Sequence, residues 1–357
     1  MHQIPDSICI LRLSAIGDIS HTLPVVRTIQ HAWPKARITW IIGKTEHALV
    51  GDIADVEFIV VDKAEGWRAY RSAYLALKGR KFNVLLHMQM SLRASLISML
   101  VNAPVKIGFD RKRAKDFQWL FTNKKIAHKE HQHVMDSLFG FAEAIGIPHR
   151  VMAWDIPIPQ DAQDYVHAII PAPPRIVISP CSSMAYRNWD TASYAAVAIH
   201  AIHSCGASII LCGGNTMLER QYGAEIMARA DRAGVGASVT NLIGRTNLKQ
   251  LLAVLQSADL LISPDSGPAH LATAVGTPVI GLYATTNPDR AAPYLSRQYV
   301  INKYPEAVKT FMDIDARRVA WGRRVKTAQA MALIRVEDVT HTIDQWWSNH
   351  SHVVQAV

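Results

Sequence analysis

The chain has 357 residues, of which 49% are hydrophobic and 19% charged, and 38 Lys and Arg stand against 29 Asp and Glu for a net charge of +9. Single cores stop growing at roughly 250–300 residues, so two domains are expected. No charged leader followed by an apolar stretch opens the sequence, and no apolar run reaches the length of a membrane span, which points to a cytoplasmic protein. The four cysteines, Cys9, Cys181, Cys205 and Cys212, lack C-x-x-C spacing, so buried thiols are expected in place of a disulfide framework or a zinc site.

In chain order, the apolar runs Ile8–Leu13, Ile38–Ile42, Phe58–Val61 and Val84–His87 read as strands, with a helix near Ser20–Ala32. A second series follows at Arg175–Ser179, Ser208–Cys212, Leu260–Ser263 and Pro278–Leu282. Strands alternating with amphipathic stretches give an α/β fold with parallel sheets covered on both faces. Prolines are dense between the two series, at Pro157, Pro159, Pro171, Pro173 and Pro174. Because proline fixes extended backbone, a first domain over 1–160, a linker over 161–174 and a second domain over 175–335 are expected. The amphipathic stretch 336–357 is expected to close the chain as a helix packed back on the first domain.

Part of the basic excess is local: Arg111, Lys112, Arg113 and Lys115, then Lys124 and Lys125, then Arg317, Arg318, Arg323, Arg324 and Lys326. Such fields favour polyanions. Nucleic acid, anionic membrane and phosphorylated substrates all fit. No helix-turn-helix, zinc-finger, RRM or KH signature appears, so nucleic acid is not the expected partner.

Four segments carry candidate chemistry. After the first strand, S-A-I-G-D-I-S-H-T-L-P (Ser14 to Pro24) offers Gly17 for a tight turn and Asp18 at the helix start. Spacing alone favours Asp18 as an N-cap; a general base is the alternative. G-x-G-x-x-G and a Walker lysine are both absent. In the second half, Ser182 and Ser183 offer hydroxyls at a strand end, and Arg187 offers a guanidinium fork suited to a diphosphate. Gly213-Gly214 makes a turn, with Glu219 one turn into the next helix, either accepting from ribose hydroxyls or solvated. The stretch S-P-D-S-G-P-A-H (Ser263 to His270) closes a strand and opens a helix. There the first N–H groups lack intrahelical partners and the helix dipole attracts a phosphate beside Ser266 and Gly267, with Pro268 at the first helical position and His270 facing the same ligand. The plainer reading is a capped helix that binds nothing.

Together these segments resemble the lipopolysaccharide core heptosyltransferases of glycosyltransferase family 9. The resemblance is carried by S-A-I-G-D-I-S-H-T-L-P, S-S-M-A-Y-R-N-W and S-P-D-S-G-P-A-H-L in the family's order and spacing, over nearly the whole chain. It implies the GT-B fold, two doubly wound Rossmann-like domains facing across a cleft. It also implies an inverting transfer from ADP-L-glycero-D-manno-heptose to the Kdo of a Kdo-lipid A acceptor, and the sequence looks nearest to enzymes that add the first heptose, of the type associated with phosphorylated Kdo. By the same resemblance Asp18 is the general base. Diphosphate contacts fall to Ser182, Ser183, Ser266, Gly267 and His270, with Asp265 on the same donor side, and the ribose contact falls to Glu219. Arg187 stands where relatives often carry Lys, and Thr246 where relatives can carry Met beside adenine. No metal and no cofactor are expected. Arg187 and the Ser266-Gly267 amides would meet the leaving-group charge. Arg111, Lys112, Arg113 and Lys115, following the strand-like Val105–Phe109, are expected to hold the anionic acceptor at the cytoplasmic face of the inner membrane. A second heptose, another sugar nucleotide such as a UDP-hexosamine, or a two-lobed solute-binding protein are the competing readings.

Overall fold

A computed structural model describes residues 4–354. The apolar run after the amino terminus forms β1 (Ser7–Leu11), buried at every position and flanked by parallel partners on both sides. A strand covered on both faces reads as a continuous apolar run, which is why it was legible without alternation. With β2 (Arg37–Gly43), β3 (Val56–Val61), β4 (Val84–His87), β5 (Val105–Gly108) and β6 (Lys124–Lys125) it makes a six-stranded sheet of order β3-β2-β1-β4-β5-β6. The second sheet comprises β7 (Arg175–Ile178), β8 (Ser208–Leu211), β9 (Val239–Asn241), β10 (Leu260–Pro264), β11 (Val279–Tyr283) and β12 (Val300–Asn302), in the order β12-β11-β10-β7-β8-β9. All pairings within both sheets are parallel. Each sheet winds outward from its first strand, then restarts on that strand's other side. The strand order therefore reverses between β1 and β4 and again between β7 and β10, the two positions where a doubly wound sheet opens a crevice at its carboxyl edge.

The chain divides into two compact units, up to Pro157 and from Ile158. The segment expected to be a linker is mostly helix, Gln160–Ile169, packed against the helix Leu248–Ser257. Its prolines flank it without interrupting it: Pro159 is the N-cap, where a missing N–H costs nothing, and Pro171 lies beyond the C-cap Ile170. The closing helix Val336–Val354 lies against the helix Thr191–Cys205 of the second unit, with Val339, Ile343 and Trp346 buried in that unit's core. This corrects the expectation that it packs on the first domain.

The helix after β1 begins at Ile16, four residues earlier than the sequence suggests, and runs to Ala32 with Pro24 inside it. Pro24 has no N–H to give to the carbonyl of Ser20. The indole Nε1 of Trp154 supplies the missing donor at 2.8 Å, so the helix continues through its proline. All four cysteines are free and buried, as expected, and burial pushes the thiols of Cys181 and Cys212 up to about 12. Among the described residues no helix is long and apolar enough to cross a membrane, and no cluster of His, Cys, Asp or Glu could hold a metal ion.

Candidate active site

At the first reversal, Asp18 sits at the third position of the helix Ile16–Ala32, and the N-cap is Ala15. Alanine has no capping side chain, so the Asp18 carboxylate does the work from inside the helix: Oδ2 accepts from the Ala15 N–H at 3.2 Å. Asp18 is therefore a first-turn partner of the cap residue and not the cap itself, and Gly17 lies within the helix, not in a tight turn. The same Oδ2 meets Arg12 Nη2 at 2.6 Å, with the Asp18 side chain 37% exposed and that of Arg12 9%. Arg12 also donates through Nη1 to the carbonyl of Met88 just beyond β4, and its Nε is buried without a hydrogen-bond partner. Asp18 is thus held on one side and open on the other.

The loop between β1 and Asp18 is tied across the reversal. Gln89, just past β4, accepts from the N–H groups of Leu13 at 2.6 Å and Ser14 at 3.2 Å, and donates to Ser14 Oγ at 3.1 Å. At the end of β2, Gly43 donates to the Leu13 carbonyl at 3.0 Å, and a Cβ on Gly43 would lie 2.4 Å from that oxygen, so only glycine allows this approach. Glu46 lies buried nearby. Burial raises its carboxyl above the ordinary range, and the charge of Asp18 pushes the same way. Arg12, Glu46 and Gln89 were not found by sequence reasoning. Arg12 alone left a signal, as a charge closing a fully apolar strand.

The second reversal brings together residues that follow β7 and β10. Arg187, 8% exposed, donates through Nη1 to the Asp265 carbonyl at 3.1 Å and pairs with Asp265 Oδ2 at 3.2 Å; its Nε is buried with no hydrogen-bond partner. Asp265 Oδ1 lies 3.9 Å from His270 Nε2. Asp265 thus turns its carboxylate toward Arg187 and His270, and it holds the cation in place.

Ser266 is the N-cap of the helix Gly267–Ala274 but makes no side-chain cap bond, and Pro268 is the second helical residue. Ser263 Oγ donates to the Ser179 carbonyl at 3.1 Å, so its 2.7 Å contact with Ser266 Oγ takes the proton of Ser266. What this turn offers an anion is consequently backbone N–H and helix dipole, not the Ser266 hydroxyl.

Ser182 and Ser183 lie on the loop after β7. The Ser182 N–H donates to Asn188 Oδ1 at 2.8 Å, while Ser183 is exposed. Glu219 occupies the third position of the helix Met217–Arg232, where it accepts from the Gly214 N–H at 2.7 Å, the Thr216 N–H at 3.1 Å and Thr216 Oγ1 at 2.6 Å. It is neither a solvated surface charge nor an uncommitted ligand: it is one half of a capping box. Thr246 is half-buried, directly before the N-cap Asn247.

The basic cluster after β5 separates into two kinds of residue. Arg113 is turned into its own unit. It pairs with Asp110 through Nε and donates to Gln132 Oε1 and Ser137 Oγ at 2.8 Å and to the Ala127 carbonyl at 2.7 Å. These bonds use its fork, so it braces the loop, contrary to the expectation of a shared acceptor-binding role. Arg111, Lys112 and Lys115 are exposed.

Each unit therefore carries its candidate groups at the switch point of a doubly wound parallel sheet, a carboxylate in the first and a helix N-terminus beside a buried guanidinium in the second. The chain belongs to glycosyltransferase family 9 (heptosyltransferase), which it matches over residues 71–316, and it is an enzyme of that family. It is 40% identical over 338 residues to the lipopolysaccharide core heptosyltransferase OpsX of Haemophilus influenzae, covering 94% of this chain and 96% of that one. It is 24% identical to a lipopolysaccharide heptosyltransferase 1 of Escherichia coli over 88% of this chain and 99% of that one. Among solved structures, it aligns with Escherichia coli heptosyltransferase WaaC with ADP at a TM-score of 0.70, 20% identity, and coverage of 95% and 99% of the two chains. Escherichia coli ADP-heptose lps heptosyltransferase II aligns at 0.72, with 19% identity and coverage of 97% and 99%. These alignments agree with the GT-B fold.

Proposed function

We propose that this enzyme transfers heptose from ADP-L-glycero-D-manno-heptose to Kdo, including phosphorylated Kdo, in the lipopolysaccharide inner core, with inversion at the anomeric carbon. The observation that carries the reading is the half-open carboxylate of Asp18, fixed by Arg12 and the Ala15 N–H with its other face exposed. The relatives' names support the substrate class: the lipopolysaccharide core enzyme is the more similar relative described above, and WaaC has been solved with ADP.

In this reading Asp18 accepts the proton of an acceptor hydroxyl as that oxygen bonds to the anomeric carbon. The bond from that carbon to the diphosphate oxygen breaks on the opposite face, and its electron pair leaves with ADP. The charge growing on the leaving oxygen is met by the Arg187 fork and by first-turn N–H groups of Gly267–Ala274, each worth several kcal/mol, on the order of 10² to 10³ in rate. Arg187 Nε, buried without a partner, would gain one from a phosphate oxygen. Asp265 serves through Arg187, Ser182 and Ser183 flank the diphosphate, Glu219 accepts from the ribose with lone pairs its cap leaves over, and Thr246 lines the base. Arg111, Lys112 and Lys115 attract the anionic acceptor.

The test is incubation of the purified chain with ADP-heptose and Kdo-lipid A, phosphorylated and not, with the product read by mass and its anomeric configuration by NMR. A product one heptose heavier, with inverted configuration, is expected. Transfer only to an acceptor that already carries heptose, or only from another sugar nucleotide, would replace this reading.

A further inference from the structure

Between β5 and β6 the chain inverts the usual rule of burial. Gln118 is fully buried, while its neighbours Phe117, Trp119 and Leu120 are 64%, 41% and 63% exposed. Gln118 Nε2 donates to the carbonyls of His87 at 2.8 Å and Gln89 at 3.1 Å, and its Oε1 accepts from the Phe109 N–H at 3.1 Å. Rolling the aromatics inward would break these bonds and strand a buried amide, so the loop is fixed with its apolar side out. Phe117 is held at φ +57°, a conformation uncommon for a bulky residue, in the turn that carries it to the tip. A fixed tip of this kind exposes apolar surface that water disfavours.

Cations frame the same tip. The Arg111 guanidinium lies 4.6 Å from the Trp119 ring centre, and Lys112 and Lys115 are exposed beside it. Asp116 is the one acid between 111 and 120. We propose that this loop docks the enzyme on an anionic bilayer, with Phe117, Trp119 and Leu120 entering the interfacial layer and Arg111, Lys112 and Lys115 over lipid phosphates. Aromatic and basic side chains together suit the headgroup region, where rings sit at the boundary and each cation near the surface gains from anionic lipid. A second copy of this chain would bring the same positive loop to a two-fold contact and be repelled. Leu120 has no stacking face, which disfavours single-stranded nucleic acid. The proposal goes beyond the transfer reaction, because any anionic lipid satisfies it.

The test is co-sedimentation of the full-length enzyme with vesicles of phosphatidylglycerol and phosphatidylcholine, or of phosphatidylcholine alone, both free of lipopolysaccharide precursors. Wild type is expected to bind the anionic vesicles preferentially and to release as salt rises. The double variant Phe117→Ser, Leu120→Ser should lose at least roughly tenfold in partitioning, with unchanged melting temperature and unchanged turnover on a water-soluble deacylated acceptor. Replacing Arg111, Lys112 and Lys115 with Gln should cost about fivefold per charge and flatten the salt dependence. Equal binding to neutral and anionic vesicles, or undiminished binding by Phe117→Ser, Leu120→Ser, would overturn the proposal. So would a dimer of the wild type that this double variant dissolves without a change in vesicle binding. Because the vesicles hold neither donor nor acceptor, the result is independent of whether the transfer reading stands.

Discussion

Arg12 Nη2 and Asp18 Oδ2 meet at 2.6 Å, joining the end of a buried strand to the first turn of the helix that follows it. The pair does more than neutralise charge. Arg12 is nearly buried and fixed by the Met88 carbonyl, so it fixes in turn which face of the carboxylate is left for a substrate. Asp18→Asn is expected to lower turnover on the order of 10³-fold with ADP affinity nearly unchanged, because the donor contacts are assigned to the second unit. Arg12→Gln should lower kcat by about 10- to 100-fold through misplacement of the carboxylate, with little change in donor KM. Near wild-type turnover in Asp18→Asn would reduce the residue to its helix-capping role.

Arg187→Ala should weaken ADP binding by about tenfold or more and slow turnover by about 10² to 10³, since in the proposed site the fork would face phosphate charge in both the ground and transition states. Truncation also leaves Asp265 buried without its cation, so the melting temperature should fall as well. Arg187→Lys should restore part of each loss without bidentate geometry. Calorimetric ADP affinity that is the same for wild type and Arg187→Ala would remove the residue from the donor site.

Glu219 has a capping role and a proposed ribose-binding role that substitution can separate. Glu219→Ala breaks the capping box and should cost about 1 kcal/mol of stability. Glu219→Gln keeps one acceptor oxygen, enough for Thr216 but not also for the Gly214 N–H that Oε1 serves, so its melting temperature should fall less than that of Glu219→Ala while ADP binding weakens several-fold, roughly the loss of one charge-assisted hydrogen bond. Unaltered ADP affinity in Glu219→Gln would leave the residue a cap alone.

Acid should destabilise the first unit through His87. Burial, with Lys106 and Arg12 adding to it, lowers the imidazole from its ordinary 6.5 to about 3, so the folded protein keeps it neutral while the unfolded chain protonates it. The unfolded state then binds more protons between these two values, and stability falls as pH drops from 6.5, levelling off below about 3. The contribution is about 1.4 kcal/mol per pH unit inside that window. Denaturation of wild type and His87→Gln at about pH 7 and about pH 5 should give a shallower acid loss for the variant. Parallel losses would show that other groups carry the effect.

What was legible in the sequence was what local pattern determines. The central strands were found because burial on both faces leaves unbroken apolar runs. β6, β9 and β12 were missed, being edge strands of two or three residues whose pairing is decided by neighbours. The early start of the helix at Ile16 was hidden because Ala15 is not a capping type and the compensating carboxylate lies three residues on. Asp18, Arg187 and the 263–270 turn stood out as polar groups at strand ends. Gln89 and Gln118 could not, since each acts through bonds to backbone 75 or 31 positions away, at Ser14 and His87. Arg113 was misassigned with its neighbours because composition does not reveal which member of a basic run folds inward.

The closing helix Val336–Val354 stays with the second core, so the polypeptide passes between its two units once, between Pro157 and Ile158. One crossover therefore separates the half bearing Asp18 from the half bearing Arg187 and Glu219, and a single recombination there exchanges either half whole. Under the proposed division of acceptor and donor between the halves, such an exchange would alter which acceptor is glycosylated and leave the nucleotide contacts intact. Chimaeras joined after Pro157 would put that division to the test.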